Sequence, residues 1–318
     1  MQNTDSCRSC KNNGKTRVVE ILGKPVRVKS YVCSPDGVHY KDKSEPIRLQ
    51  LSVCPTSFCP ANCPFCIAGG TQSRRRLDLA ALERTMRLLK AEDRVRGIKL
   101  TGGEPMLDVV FFDEIVHLLY EVFGYEIEIS VSTNGLGLRD LHKVRDLKYI
   151  ESIHLSRHHY DDGVNKQLFG GADVPSRDEL KEIVGSVSFK DIFVLNCLLL
   201  RDYICSPEEA HRFLDFAIDV GIPKVGFVTC SPINAFAKAQ HISDKTVIRD
   251  DDPALLFTRG FYDYDVCRCR DGVYVSAEGE LVEFYTRDTC TGGCGYSRGL
   301  VYDADDHLRD GFGGEIIL

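Results

Sequence analysis

Short apolar runs alternate with longer amphipathic stretches through the middle of the chain. The runs predict strands at 47–53, 98–101, 126–132, 150–156, 191–199 and 224–229. Between them, apolar residues recur every three or four positions, which predicts helices at 77–93, 109–123, 138–146, 176–187 and 206–220. Strands that alternate with helices in this way predict βαβ units and a parallel sheet, so the fold class is α/β.

The pattern differs at both ends of the chain. Residues 16–22 and 26–32 alternate about a turn signal at 23–25, which predicts a hairpin. Beyond residue 229 the strand–helix alternation stops, and residues 272–285 predict a second hairpin about Glu278-Gly279. We therefore divide the chain into an N-terminal extension (1–45), an α/β region (46–229) and a C-terminal region (230–318).

Composition narrows the class of protein. The chain has 318 residues, 43% of them apolar, 14 cysteines and a net charge of −7. No apolar run is long enough to span a membrane, and the polar N-terminus indicates no signal peptide. Clustered cysteines in such a chain favour metal binding in a reducing cytoplasm over disulfides. The arginines at 74–76 stand among mixed charges rather than on a broad basic face, so we expect no nucleic-acid partner.

Three cysteines lie within residues 59–66, directly after the first predicted strand of the α/β region. Cys59, Cys63 and Cys66 have the spacing C-x3-C-x2-C, so a short loop can aim three thiolates at one point. Iron–sulfur clusters are held by closely spaced cysteines, whereas structural zinc usually takes four ligands from two pairs. The alternatives are disulfides, or a zinc site whose fourth ligand comes from a distant part of the chain.

Two further motifs follow the next two predicted strands. Gly102-Gly103-Glu104-Pro105 follows the strand at 98–101, and Ser-Thr-Asn-Gly at 132–135 follows the strand at 126–132. Together with the three cysteines and Phe65, these motifs resemble, in this order, the radical S-adenosylmethionine (radical SAM) superfamily. The resemblance implies a partial (β/α)6 TIM-like barrel, with its chemistry at the C-terminal ends of the strands.

The resemblance also implies the cofactors. Cys59, Cys63 and Cys66 would bind a [4Fe–4S] cluster whose open iron is chelated by S-adenosylmethionine, which is cleaved to methionine and a 5′-deoxyadenosyl radical. The residues expected at the cofactor are Phe65, Gly102, Gly103, Glu104, Ser132, Thr133, Asn134, Ser156, Arg157 and Asn196. Arg157 is expected to pair with the methionine carboxylate. Ordinary strand-end turns are the alternative for the glycine-rich and Ser-Thr-Asn motifs.

Three residues near these strand ends are candidates for catalysis. His158 and His159 follow the fourth strand and can contact substrate or carry a proton, although a histidine pair is also a common structural feature. Cys230 follows the sixth strand and can donate a hydrogen atom or bind metal. An inert buried thiol is the alternative for Cys230.

The C-terminal region has four cysteines around its predicted hairpin: Cys267, Cys269, Cys290 and Cys294. This arrangement resembles the twitch/SPASM-like extensions of radical SAM enzymes and implies a second iron–sulfur cluster. The chain departs from many such relatives because Phe284-Tyr285 ends the second hairpin strand, where they have a cysteine. Cys7, Cys10 and Cys33 belong either to a further metal site or to free thiols.

These observations predict a radical SAM enzyme that abstracts a hydrogen atom from a compact substrate, either a small metabolite or a short peptide segment. The expected setting is natural-product or peptide modification, with oxidation favoured over rearrangement and a flavodoxin or ferredoxin as electron donor. One alternative is an iron–sulfur or zinc protein without catalysis. Another is the GTP cyclase of molybdenum-cofactor biosynthesis, which the core resembles but whose glycine–arginine terminus is absent from residues 313–318.

Overall fold

The fold is built on one large sheet whose central strands are parallel. The structure is a computed structural model that describes residues 16–29, 47–66, 73–258, 270–287, 297 and 299–318, with the backbone alone at 31–34, 37–40 and 268–269. None of the helices in these ranges is long and apolar enough to cross a membrane.

The predicted strands and most predicted helices of the α/β region are present. The strands are β1 (Thr16–Ile21), β2 (Lys24–Lys29), β3 (Tyr31–Ser34), β4 (Gly37–Tyr40), β5 (Leu49–Val53), β6 (Val95–Leu100), β7 (Glu128–Thr133), β8 (Ser152–Ser156), β9 (Phe193–Leu199), β10 (Lys224–Thr229), β11 (Leu255–Thr258), β12 (Arg268–Val275), β13 (Leu281–Arg287), β14 (Gly299–Tyr302) and β15 (Leu308–Arg309). The α-helices are α1 (Leu79–Ala91), α2 (Val109–Phe123), α3 (Asp162–Leu168), α4 (Arg177–Ser186), α5 (Pro207–Val220), α6 (Ala235–Gln240) and α7 (Asp244–Val247).

The large sheet has the order β11-β12-β13-β10-β9-β8-β7-β6-β5-β14-β15. Strands β5 to β10 are neighbours in chain order and pair in parallel, as the alternation of strands and helices predicts. Ile98, Leu100 and Val131 on these strands belong to one buried core with Leu82 and Phe112 of the helices. The α/β fold class with a partial TIM-like barrel is therefore confirmed.

The C-terminal region contributes strands to both sides of this parallel core. β13 pairs in parallel with β10, and β12 and β11 continue the sheet beyond it. On the opposite side β14 pairs in parallel with β5, the strand that leads into the cysteine loop. The hairpin about Glu278-Gly279 is confirmed, but its place in the large sheet was not predicted.

Residues 138–146 do not form the predicted α-helix. Residues 138–143 lie in a 3-10 helix, Leu136–Lys143, and a second 3-10 turn, Leu147–Tyr149, follows the segment. Leu138, Leu141 and Val144 are buried at intervals of three residues, which suits the three residues per turn of a 3-10 helix. The sequence analysis also missed α3, α6 and α7, which are all shorter than a typical helix.

The N-terminal hairpin turns earlier than predicted. Leu22 and Gly23 both have positive φ, 49° and 75°, as a two-residue type I′ turn requires. Pro25 is therefore not part of the turn but pairs with Glu20 in the ladder of β1 and β2. β2 spans Lys24–Lys29, and β3 pairs with β4 in a separate hairpin.

Candidate functional site

The three sequence motifs lie side by side at the C-terminal ends of β5, β6 and β7. Parallel neighbours end at the same edge of a sheet, so the loops that follow them meet there. The cysteine loop follows β5, the glycine-rich turn follows β6, and the Ser-Thr-Asn-Gly turn follows β7.

The glycine-rich turn supports the cysteine loop through its backbone. The Gly103 N–H donates to the Thr56 carbonyl at 3.0 Å, and the Glu104 N–H donates to the Phe58 carbonyl at 2.9 Å. A Cβ on Gly103 would come within 2.1 Å of the Phe58 oxygen, and one on Gly102 within 2.8 Å of the Thr56 oxygen. Gly102 also has a φ of 115°, which favours glycine. Only glycines allow the cysteine loop to approach this closely.

The Glu104 carboxylate joins the second motif to the third. It accepts from the Met106 N–H at 3.1 Å, the Thr133 hydroxyl at 2.6 Å and the Asn134 N–H at 2.8 Å. These three bonds occupy most of the roughly four acceptor positions of a carboxylate. The side chain is buried, and burial raises the pKa of Glu104 to about 7 against the opposing effect of its hydrogen bonds.

The three thiols of the cysteine loop are half-buried and form no disulfide. The Asn134 side-chain amide lies 3.5 Å from the Cys59 sulfur as a hydrogen-bond donor, and the Cys66 N–H donates to the Cys63 carbonyl at 3.1 Å. Burial, and then the proximity of the Cys66 and Cys59 thiolates, raises the pKa of Cys63 to about 12. Burial likewise raises the pKa of Cys59.

This donor set fits an iron–sulfur cluster. The thiols are close enough to affect one another's ionisation, and they are protected on one side by protein and by the amide of Asn134. Within the part of the chain that the structure describes, no three His, Cys, Asp or Glu side chains are grouped as for a single metal ion. Cluster thiolates bind different irons and need no such convergence.

Arg157 is buried and fully engaged with protein. Its guanidinium donates to the carbonyls of His159 and Pro175, both at 3.0 Å, and of Tyr160 at 3.3 Å. It also forms an ion pair with Asp162 and lies 4.4 Å from the centre of the Phe216 ring. Arg157 therefore fixes the backbone after β8, and contact with a cofactor carboxylate would require these bonds to open.

His158 is a neutral, buried imidazole that packs against the cysteine loop. Its ring stacks on Phe169 at 5.1 Å and meets Phe65 edge-on at 4.9 Å. The Leu198 N–H donates to Nδ1 at 3.2 Å, which assigns the ring proton to Nε2. Burial lowers the pKa of His158 to about 3.

The remaining polar residues of this edge have separate surroundings. His159 accepts from the Asp161 N–H through Nδ1 at 3.0 Å, and burial lowers its pKa. Ser156 and Ser132 are half-buried at the ends of their strands. Asn196 accepts from the Tyr285 hydroxyl at 2.8 Å, so a residue of β13 reaches the interior of the barrel.

Cys230 is buried in a small apolar cluster with Phe65 and Leu168, and Cys63 packs against that cluster. Burial raises the pKa of Cys230, which keeps the thiol protonated.

The side chains of seven other candidate cysteines lie outside the described residues. They are Cys267, Cys269, Cys290 and Cys294 of the C-terminal region and Cys7, Cys10 and Cys33 of the N-terminal extension. Their predicted metal sites remain predictions.

A cavity of about 430 Å³ lies beside the cysteine loop and is lined by Thr56, Phe58, Arg74, Arg76 and Phe111 among others. Arg74 and Arg76 lie over the rings of Phe58 and Phe111, at 4.8 and 4.6 Å. The predicted thiol ligands do not line it.

The sequence analysis missed several residues that shape the site. Asn165 accepts from the His158 N–H at 2.9 Å, and Phe169 stacks on the same histidine. Asn165 lies in α3 and Phe169 directly follows it. α3 is a short helix with little apolar periodicity, so no pattern in the sequence indicated it.

Comparison with known proteins identifies the family. A family model described as the Radical SAM superfamily matches residues 53–230, more than half of the chain. A curated relative, the probable GTP 3′,8-cyclase of Saccharolobus solfataricus, is 30% identical over 202 residues, covering 59% of this chain and 58% of that protein. The chain thus spans little more than half the length of this relative.

Two solved structures are similar to the chain at low sequence identity. A radical SAM methyltransferase from Sphaerobacter thermophilus is 18% identical with a TM-score of 0.50, over 72% of this chain and 70% of that one. Streptococcus suis SuiB, bound to its precursor peptide SuiA, is 21% identical with a TM-score of 0.48, over 62% and 43%. At such identities the likeness to the methyltransferase concerns the fold alone. From the matched family model, and with the three motifs gathered at one edge of the barrel, we conclude that the chain belongs to the radical SAM superfamily and is a radical SAM enzyme, a class that uses a [4Fe–4S] cluster and S-adenosylmethionine.

Proposed function

We propose that this enzyme uses S-adenosylmethionine to abstract a hydrogen atom from a compact substrate, either a small metabolite or a short peptide segment. The observation that supports the proposal is the hydrogen-bonded unit formed by the Thr56 and Phe58 carbonyls, the Gly103 and Glu104 amides, and Asn134. This unit holds the thiols of the cysteine loop at the mouth of the barrel.

The protein's own groups would bind, orient and shield. Cys59, Cys63 and Cys66 would hold the cluster, which with S-adenosylmethionine supplies the 5′-deoxyadenosyl radical when bound. The Asn134 amide donates toward the Cys59 sulfur, and hydrogen bonds to cluster sulfurs tune the reduction potential. Phe65, within the loop, packs against His158, and the two rings would exclude water from that side of the loop.

Replacing Cys59, Cys63 and Cys66 together with Ala tests the proposal. After anaerobic reconstitution the variant should contain about four irons fewer per chain and form no 5′-deoxyadenosine with dithionite and S-adenosylmethionine. Cys205→Ala is the control, because this half-buried thiol precedes α5 and belongs to none of the three motifs. Reductive cleavage of S-adenosylmethionine by the triple variant would refute the proposal.

We also propose that the C-terminal cysteines hold a second iron–sulfur cluster, as the resemblance to twitch/SPASM-like extensions implies. The iron content of the same triple variant tests this proposal, because any iron that the variant retains must be bound outside the cysteine loop. Complete loss of iron from that variant would refute a second iron site, and its zinc content would then identify a zinc site.

A nucleotide cyclase activity is the second candidate. The 30% identity to a probable GTP 3′,8-cyclase favours it, over 58% of that relative's length. Incubation with GTP deuterated on the ribose separates the candidates. Deuterium in 5′-deoxyadenosine would identify GTP as substrate, whereas 5′-deoxyadenosine without deuterium would point to another compact molecule.

The electron donor in the cell would be a flavodoxin or ferredoxin, and the location would be the cytoplasm.

A further inference from the structure

The cysteine loop is supported at three points along its length. The glycine-rich turn holds its first part through the Thr56 and Phe58 carbonyls. In its middle, the Asn62 N–H donates to the Phe169 carbonyl at 3.2 Å, directly after α3. The last part, residues 63–66, is contacted by α6, a helix of the C-terminal region. The third support therefore comes from a part of the chain that follows the parallel strands of the barrel.

This third support is a hydrogen bond from the side chain of Asn234. Its amide nitrogen, Nδ2, donates to the Pro64 carbonyl at 2.9 Å. Its Oδ1 accepts from the Ala237 N–H at 2.8 Å and so forms the N-cap of α6. Because a carbonyl can only accept and an N–H can only donate, the two contacts together fix which atom of the amide is the oxygen. One side chain thus joins the cysteine loop to the start of α6.

The bond from Asn234 reaches the centre of a turn between two predicted cluster ligands. The Cys66 N–H donates to the Cys63 carbonyl at 3.1 Å, which closes a four-residue β-turn with Pro64 and Phe65 in the middle. That bond joins the two ends of the turn and leaves its central peptide group unbound within the turn. Asn234 binds the carbonyl of this central peptide and thereby fixes the orientation of the turn.

Apolar contacts between α6 and the turn add to the hydrogen bond. Phe65 lies in a small buried cluster with Cys230 and Ala237, and Phe236 packs against that cluster. The ring centres of Phe65 and Phe236 are 6.5 Å apart. Cys63 packs against the same cluster, so the surroundings of one predicted thiol ligand depend on the position of α6.

The other end of α6 is bound to the barrel through Arg201, which follows β9. The Arg201 guanidinium donates to the Ala239 carbonyl at 3.2 Å and to the His241 carbonyl at 3.1 Å. Its backbone N–H donates to the Gln240 carbonyl at 3.0 Å. A basic side chain near the C-terminal end of a helix satisfies its last carbonyls in this way. α6 is therefore fixed at one end to the barrel and at the other end to the cysteine loop.

We propose that α6 positions the second half of the cysteine loop, and that Asn234 is the positioning residue. The inference rests on the proposed function, because it concerns the loop that would hold the cluster. Two of the three predicted ligands flank the turn that Asn234 binds, so loss of this bond loosens the placement of both. Asn234 lies beyond residues 53–230, which match the family model, so the support is not part of the matched core.

Substitutions of Asn234 can separate its two bonds. Asn234→Ser keeps an oxygen for the N-cap of α6 but lacks the amide N–H that donates to Pro64. Asn234→Asp also keeps the cap, but it places an acceptor against the Pro64 carbonyl, so repulsion replaces the bond. Ser243→Ala is the matched control, because Ser243 caps the next helix, α7, by accepting from the Lys245 N–H.

The rate of iron release measures the effect without turnover. Reconstituted proteins are mixed anaerobically with an excess of a coloured ferrous chelator. One net hydrogen bond changes an equilibrium about two- to tenfold, so we expect Asn234→Ser to release iron faster by about that factor and Asn234→Asp to release it faster still. Ser243→Ala should release iron at the wild-type rate. The triple variant of the cysteine loop, measured in parallel, gives the release from any site outside the loop.

The reduction potential separates positioning from a purely structural role. A loosened turn admits water to the apolar cluster around Phe65 and Cys63, and water stabilises the more highly charged, reduced state of a cluster. The midpoint potential of the signal that is absent from the triple variant should therefore be higher in Asn234→Ser than in the wild type. A residue that only stabilised the fold would change the midpoint of urea unfolding and leave this potential unchanged.

Wild-type iron release in both Asn234 variants, or an unchanged potential in Asn234→Ser, would overturn the inference. Its failure is distinguishable from that of the proposed function. If the wild type forms 5′-deoxyadenosine while both variants release iron at its rate, the proposed function stands and the inference fails. If the variants release iron faster while no protein cleaves S-adenosylmethionine reductively, the inference stands and the proposed function fails.

Discussion

At the scale of single residues, the charged groups around the predicted cofactor site already have protein partners. Glu104 accepts three hydrogen bonds that join two motifs, and Arg157 donates to three carbonyls and Asp162. Removing one partner of a buried charged network usually costs several kcal/mol. Substitution of either residue would therefore disturb the backbone of the site, and a resulting loss of activity would not by itself report on cofactor contacts.

The buried imidazole of His158 predicts a specific dependence of stability on pH. Its pKa is about 3 in the folded protein, below the ordinary value of 6.5, so the folded state binds fewer protons between these values. Its contribution to stability is therefore present above pH 6.5 and is lost as the pH falls. From pH 7 to pH 5 the loss should be about 2 kcal/mol.

Urea unfolding of the wild type and His158→Gln at both pH values measures this effect. Gln retains an acceptor for the Leu198 N–H but does not titrate. The stability difference between the two proteins should shrink by about 2 kcal/mol at pH 5. An unchanged difference would mean that folding does not lower the pKa of His158.

The sequence placed the motifs at strand ends but did not predict the contacts that these motifs make. Cys59, Gly103 and Asn134 belong to short motifs with a recognisable order, so each could be placed at a strand end. Their mutual contacts join residues far apart in the chain, as Asn134 and Cys59 are separated by 75 positions. No local pattern encodes such a contact, so the protein partners of Arg157 and His158 were not predicted either.

At the scale of elements, the cysteine loop depends on a close approach between two backbones. Gly103→Ala would place a Cβ 2.1 Å from the Phe58 oxygen, which is backbone and has little freedom to move. The loop would have to shift by roughly 1 Å to reach an ordinary contact, and displacements of that size can cost function about a hundredfold. We expect Gly103→Ala to reduce iron incorporation and 5′-deoxyadenosine formation strongly.

Gly185→Ala is the matched control. Gly185 lies in α4, and a Cβ there would meet nothing within 4 Å. The substitution should leave iron content unchanged and stabilise the helix by up to about 1 kcal/mol. Iron and sulfide analysis of both variants after identical reconstitution makes the comparison. Normal iron content in Gly103→Ala would show that the loop does not need this approach.

The elements with strong periodicity were predicted well, and the irregular ones were not. The strand at 224–229 and the helix at 109–123 have the predicted bounds, because apolar runs and stripes define both. The prediction of an α-helix at 138–146 was wrong. Over nine residues, the apolar spacing of a 3-10 helix, every three residues, is hard to distinguish from that of an α-helix, every three or four. The first hairpin is present, but its turn was misplaced because Leu22 at positive φ is not a turn signal, whereas Pro25 is.

At the scale of the whole molecule, the C-terminal region is part of the same sheet as the barrel. β13 covers the β10 edge and β14 covers the β5 edge, so neither side of the parallel core is left as a free edge. The Cys54 N–H donates to the Tyr302 carbonyl at 2.9 Å, and the Asp78 N–H donates to Asp306 at 2.8 Å. Pairings between strands some 60 to 250 positions apart leave no trace in local sequence, so they were not predicted.

This arrangement predicts that the barrel and the C-terminal strands unfold together. Leu308 of β15 is fully buried and belongs to the core that includes Leu51 and Leu82. Leu308→Ala should destabilise the protein by about 2–5 kcal/mol, as expected for truncation of a buried leucine. Leu88→Ala, at an exposed position of α1, is the control and should change stability by less than about 0.5 kcal/mol.

Helical circular dichroism during urea unfolding reports on the barrel, because the described helices lie between residues 79 and 247. If the strands form one cooperative unit, Leu308→Ala will lower the midpoint of the helical signal, although its site lies about 60 residues beyond the last of those helices. An unchanged helical midpoint, with a separate early transition seen by tyrosine fluorescence, would show that the C-terminal region folds independently. Since β14 pairs with the strand that leads into the cysteine loop, cooperative unfolding also predicts that Leu308→Ala lowers cluster retention on mild heating.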